Sequence, residues 1–178
     1  MPLRVASAAI VIETALGDIT IELHDRAAPQ SCGYVLGLVD REVLTPCSVF
    51  RIVTPSNDAL SACAAIEVIQ LGHRCANPDT AVIIAHESTA LTGLRHVRGT
   101  VALPRYRPGA TYESFFICLR DEPALDHGGK RNPDGLGFAA FGSVVSGWPA
   151  IDSIRARAEE HDYLVRPILV TRVRRAEP

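Results

Sequence analysis

Ala9-Ile10-Val11-Ile12-Glu13-Thr14-Ala15-Leu16-Gly17-Asp18-Ile19-Thr20-Ile21-Glu22-Leu23 is the stretch from which the fold is read. Two runs of β-forming residues flank a turn around Gly17-Asp18, and in the second run Ile19, Ile21 and Leu23 alternate with Thr20 and Glu22. Side chains on a strand alternate faces at every residue, so this pattern describes a half-buried strand and the pair reads as a β-hairpin. The β pattern returns at Ser48–Val53, Ile66–Gln70, Gly99–Leu103, Phe115–Leu119, Phe138–Val145 and Val165–Val173. Only two stretches take the helical period. One runs from Ala28-Pro29 to Arg41, with Tyr34, Val35, Leu38 and Val39 on one face and Pro29 where a first helical turn tolerates it. The other starts at Gly147-Trp148-Pro149 and turns Ile151, Ile154 and Ala158 inward. Strands that are not separated by regular helices argue against a parallel sheet, and closure removes the edges that short strands otherwise expose. The expected fold is therefore mostly β: a closed eight-stranded antiparallel barrel whose open ends are capped by helices at 29–41 and 149–159.

Outward from that frame, 178 residues suit one domain over 1–178, and a chain of that size hides roughly 70% of its unfolded surface without a disulfide or metal. No stretch approaches the ~20 apolar residues of a membrane helix. The longest apolar run, Ala6 to Ile12, follows Arg4 but leads to no adequate signal-peptide core or cleavage site, so a mature, soluble chain with no membrane partner is expected. The 18 Lys+Arg nearly balance the 20 Asp+Glu, which argues against a protein built to neutralise phosphates. Arg155/Arg157 and Arg172, Arg174, Arg175 read as solvated surface, and no nucleic-acid partner is expected. The five cysteines contain no C-x-x-C pair, and their odd number suits reduced thiols in a reducing compartment; the expected location is cytoplasmic, with the periplasm as the alternative. His73, Cys75, His86, Glu87, His96 and His127 match no zinc spacing, Gly135-x-Gly137 lacks the context of a nucleotide loop, and there is no Gly-x-Ser-x-Gly elbow.

Thr14-Ala15-Leu16-Gly17-Asp18-Ile19 followed by Ala28-Pro29, Phe50-Arg51-Ile52-Val53, Gly99-Thr100-Val101-Ala102-Leu103, Ser114-Phe115-Phe116-Ile117, Leu125-Asp126, Ala140-Phe141-Gly142-Ser143-Val144-Val145 and Gly147 through Ile154 stand in one order. Together they resemble the cyclophilins, in a divergent bacterial form with a longer segment between the arginine strand and Gln70. The resemblance implies a peptidyl-prolyl cis–trans isomerase, a monomer without cofactor or metal, that acts on proline-containing peptides or unfolded protein segments and assists their folding. A catalytically weak proline-peptide binding module or chaperone is the alternative.

An X–Pro bond turns over a barrier of about 18–20 kcal/mol because the nitrogen lone pair is shared with the carbonyl. No bond breaks, so the catalyst has to bind the twisted amide better than the planar one. An apolar pocket for the ring and a donor aimed at the nitrogen achieve this, and arginine suits the donor role with its permanent charge and planar fork. By resemblance Arg51 is that donor, Gln70 holds the substrate backbone, and Phe116 and Leu125 line the proline pocket. Leu103 and Val68 fall where the family often has methionines, Phe138 where it has a wall histidine, and Ser114 where it has a second glutamine; all four are expected to contact substrate. Taken without the resemblance, an arginine on a strand is more often a surface or ion-pair residue. The chain departs from the family's pattern at Glu67, where a pocket phenylalanine is usual, and at Leu71, Pro104, Arg105 and Ala124.

Overall fold

The structure is a computed structural model that describes residues 8–177. Arg4 and the start of the apolar run from Ala6 lie outside the described residues. Among the described residues ten strands occur in the order β1 (Ala9–Thr14), β2 (Gly17–Leu23), β3 (Cys47–Val53), β4 (Val68–Gly72), β5 (Val82–Ile83), β6 (Thr100–Leu103), β7 (Ala110–Thr111), β8 (Ser114–Cys118), β9 (Ala139–Ser146) and β10 (Tyr163–Arg175). Eight of them close into a barrel in the order β1-β10-β3-β4-β8-β6-β9-β2, and β5 and β7 form a separate two-stranded ribbon. Every pairing is antiparallel.

The hairpin pairs Ala9 with Glu22 through to Thr14 with Gly17, which puts Ile10, Ile12, Ile19, Ile21 and Leu23 inside the barrel with no exposed surface. Its turn is Ala15-Leu16, two residues earlier than the Gly17-Asp18 of the sequence reading. Thr14 sets it: its hydroxyl donates to Gly17 O (2.7 Å) and accepts from Leu16 N (3.0 Å). The strand expected over Ile66–Gln70 runs instead from Val68 to Gly72, because the Ile66 and Glu67 amides donate to the carboxylates of Asp58 and Glu122 and not to a neighbouring strand.

Among the described residues four α-helices accompany the barrel: α1 (Pro29–Asp40), α2 (Ser61–Ala64), α3 (Thr89–Thr92) and α4 (Trp148–Arg155). β2 starts beside Ala150 of α4, and the chain just past its end meets α1 through Ala28 N–H to His24 O. The two long helices thus close opposite mouths, as expected, although α4 stops at Arg155, short of Glu159. Ala28 provides no side-chain cap for α1. Glu87 supplies one from elsewhere: its carboxylate accepts from Gln30 N (3.0 Å), Ser31 N (2.8 Å) and the Ser31 hydroxyl (2.7 Å). A helix start leaves several N–H groups unpaired and carries a partial positive charge, so a carboxylate there is doubly favourable. Glu87→Ala is expected to cost about 1–2 kcal/mol in denaturant unfolding, with Glu87→Gln retaining part of it.

Candidate active site

Register builds the site. Ile52, Ile69, Ile117 and Val101 pair in a row across β3, β4, β8 and β6 and face the barrel interior. The next row, Arg51–Gln70–Phe116–Ala102–Ala140, must therefore face outward, and so must Val53–Val68–Cys118. The apolar members of these outer rows join Ile66 and Leu125 in a second buried cluster, with Ala124 and Phe138 packed against it. A groove of about 150 Å³ opens on this cluster, with Arg51 and Gln70 at one side and Val68, Phe116, Leu125 and Phe138 among its walls.

Arg51 is held from two directions. Its Nε and Nη2 donate to Asp162 Oδ2 at 2.8 and 2.7 Å, and Nη1 reaches Gln70 Oε1 at 3.5 Å. The Tyr163 ring lies 5.1 Å from its Cζ. Gln70 in turn donates to Tyr112 Oη (3.0 Å) and Ser114 Oγ (3.1 Å), and Ser114 Oγ–H donates to Leu71 O (2.9 Å). Both amide hydrogens of Gln70 are thereby committed inside the protein. It lines the groove, but its oxygen alone is left to touch a ligand while it steadies Arg51.

The apolar floor is equally fixed. Phe116 meets Phe138 edge to face (5.6 Å, 87°), and His96 stacks behind it (6.3 Å, 14°). Phe138 N–H donates to Leu125 O, tying two walls together. His96 Nδ1 and its backbone N–H both lie 2.9 Å from Asp126 Oδ1, and His96 Nε2 has no protein partner. With Nδ1–H donating to Asp126, the buried Nε2 carries a lone pair, whereas an imidazolium would bury an unpaired N–H. Burial lowers the His96 pKa by more than Asp126 raises it. Burial also works against the Asp126 carboxylate, but the His96 amide, the imidazole and Arg95 outweigh it and keep that pKa below the usual value. Both groups lose protons on folding, so both favour the native state at neutral pH and cease to do so on acidification. The His96 contribution is lost as pH falls below about 6.5, that of Asp126 below about 3.9. Stability measured by denaturant unfolding is expected to fall between pH 7 and pH 5, and His96→Gln to flatten that slope.

Arg51, Gln70, Phe116, Leu125, Val68 and Phe138 are brought together as expected. Leu103 is not: it is 3% exposed and belongs to the barrel interior, because alternation on β6 sends Ala102 outward and Leu103 in. Ser114 also misses the groove; it is fully buried behind Gln70 and orients that amide. Glu67 does not enter either, its carboxylate drawn 2.7 Å from Arg155, and Ile66 and Leu60 supply wall on that side. Pro104 lines the groove without filling it, and Arg105 is engaged by both oxygens of Asp134 (2.9 and 2.8 Å). Sequence reasoning missed Asp162, Tyr112, Leu60 and Arg131. Asp162 gave no sign, since it lies far along the chain and reaches Arg51 only through the β10–β3 pairing.

The family model "Cyclophilin type peptidyl-prolyl cis-trans isomerase/CLD" matches residues 9–175. The chain belongs to the cyclophilin family. Among curated cyclophilins it is similar to peptidyl-prolyl cis-trans isomerase cyp18 of Streptomyces antibioticus, 26% identical over 90% of this chain and 94% of the relative. It is also similar to peptidyl-prolyl cis-trans isomerase A of Dickeya dadantii (strain 3937), 29% identical over 82% of this chain and 70% of the relative. A solved cyclophilin-type isomerase from Cryptosporidium parvum superposes with a TM-score of 0.76 over 96% of this chain and 98% of its own, at 15% identity, and so shares the fold. The same protein was also solved in the presence of the dipeptide Ala-Pro. Peptidyl-prolyl cis–trans isomerisation is the activity of this family, and the cyclophilin described here has its closed barrel.

Proposed function

We propose that Arg51 is the residue with which this cyclophilin turns X–Pro bonds, in a groove whose apolar floor of Phe116, Leu125, Val68 and Phe138 grips the proline ring. The observation that carries this reading is the placement of a guanidinium, fixed by Asp162 and Gln70, on the rim of that floor. Each of its Nη atoms bears two hydrogens and spends one on the contacts above, so each keeps one for a ligand. As the peptide bond twists, the nitrogen lone pair leaves conjugation and becomes a hydrogen-bond acceptor that the planar amide lacks. An N–H aimed at it stabilises the twisted state alone, which is what lowers a barrier. Asp162 acts through Arg51 as a positioning residue.

The ligand class is a proline-containing peptide or unfolded segment, the class to which the Ala-Pro dipeptide used with the Cryptosporidium parvum protein belongs. Action as a monomer in the cytoplasm is part of the same proposal, and the five free cysteines of the chain suit a reducing compartment. The test is the cis–trans exchange rate of a short X–Pro peptide with and without the protein. Acceleration above the spontaneous tens-to-hundreds-of-seconds exchange is expected; an unchanged rate would sink the proposal.

A further inference from the structure

We infer that the segment 56–65 adds a subsite to the groove, one that reads the residue adjoining the proline and favours a large apolar side chain there, with Leu60 as its contact. This rests on the groove being the X–Pro site. Leu60 lines the groove yet is 51% exposed, an apolar surface left to water at the rim beside the buried Ile66. It borders the pocket itself, so whatever enters the pocket carries its neighbouring residue past it.

The segment is not a loose loop. Asp58 and Arg131 form a two-pronged ion pair at 2.6 and 2.9 Å, with 7% and 5% of each residue exposed. Asp58 also accepts from Leu60 N (3.0 Å) and Ile66 N (3.2 Å), while Arg131 donates to Ala64 O (3.0 Å). Asn57 ties the other end, its Nδ2 donating to Ile52 O and Glu159 O at 3.0 Å. Ala64 is held at φ +138°, a conformation an alanine adopts only where its surroundings impose it. A wall fixed in this way contacts a ligand with little ordering cost.

The chemistry of the wall selects apolar over acidic neighbours. Arg131 and Arg105 both line the groove, but each guanidinium is already matched by a carboxylate, so a client carboxylate finds no free cation at either. What the segment itself presents at this wall is the hydrocarbon of Leu60, beside that of Ile66.

The test uses the full chain and two peptide sets in which Leu, Gly or Glu occupies the position before or after the proline, read both as kcat/KM and as Kd from NMR titration. The wild-type protein is expected to favour Leu over Gly and Glu by about tenfold at one of those positions, and Leu60→Ser to collapse that preference to within about twofold. A wild type with no preference, or a Leu60→Ser protein that weakens all peptides alike, would overturn the subsite. Leu60 is half exposed, so Leu60→Ser is expected to fold as the wild type does, which a thermal melt checks. Arg51→Ala separates the two claims: it should lower turnover of every peptide by about two to three orders of magnitude and keep the Leu preference in Kd. Full turnover by that variant would refute the catalytic reading and leave the subsite to be judged on Kd alone.

Discussion

Replacing Arg51 with alanine should lower kcat for an X–Pro peptide by about two to three orders of magnitude, the loss seen when one donor to a developing charge is removed from a preorganised site. The effect should fall on kcat and barely on Kd. In the proposed mode of action the proline ring binds through the apolar walls, which the substitution leaves in place, whereas the N–H contact to nitrogen exists only in the twisted state. Lysine should restore little. Arg51 makes three contacts at once, two to Asp162 and one to Gln70, and still keeps N–H groups for a ligand. A lysine has three hydrogens on a single nitrogen and no fork, so contact with Asp162 withdraws it from the groove. Asp162→Asn should give a smaller loss of kcat, since Gln70 and the Tyr163 ring still guide the guanidinium.

Arg131→Ala should destabilise the fold by about 3–5 kcal/mol, because it leaves the buried Asp58 carboxylate unpaired. For a chain of this size that corresponds to a drop in Tm of roughly 6–20 °C. Asp58→Ala should cost a similar amount, and the double replacement Asp58→Leu with Arg131→Met should cost less than either single change, since neither charge is then stranded. The pair also fixes a pH dependence. Burial alone would raise the Asp58 pKa, but Arg131 and the Leu60 and Ile66 amides overcome this and bring it below its unfolded value. Its stabilisation is therefore present above about pH 3.9 and is lost as pH falls through the folded pKa. A thermal melt series on Asp58→Ala should show less acid sensitivity than the wild type.

Much of the architecture was legible because it depends on two-residue alternation. Ile19, Ile21 and Leu23 announce an inward face without reference to any other part of the chain. On β8, alternation sets Phe116 opposite to Phe115, the one outward and the other inward. It failed where a side chain competes with the ladder. Thr14 moved the first turn by two residues, and Asp58 and Glu122 removed Ile66 and Glu67 from β4. Leu103 was misassigned by analogy of position, although alternation from the outward Ala102 already turned it inward. The ribbon of Val82–Ile83 with Ala110–Thr111 left no trace, since two-residue strands carry no periodic signal.

At the site, Arg51, Gln70 and Phe116 on the groove are easier to find than the residues that hold them. Arg51, Gln70 and Phe116 lie on strands whose order is visible, and pairing brings them side by side. Asp162, Tyr112 and Arg131 act through closures of the chain that no local pattern encodes.

Everything turns on whether the Arg51 guanidinium favours the twisted amide over both planar forms. Two-dimensional NMR exchange spectroscopy on an X–Pro peptide, with equal fractions bound to wild type and to Arg51→Ala, measures this directly. The expected result is cis–trans cross-peaks with the wild type and their loss with the variant at unchanged occupancy. Cross-peaks of equal intensity with both proteins would contradict the account.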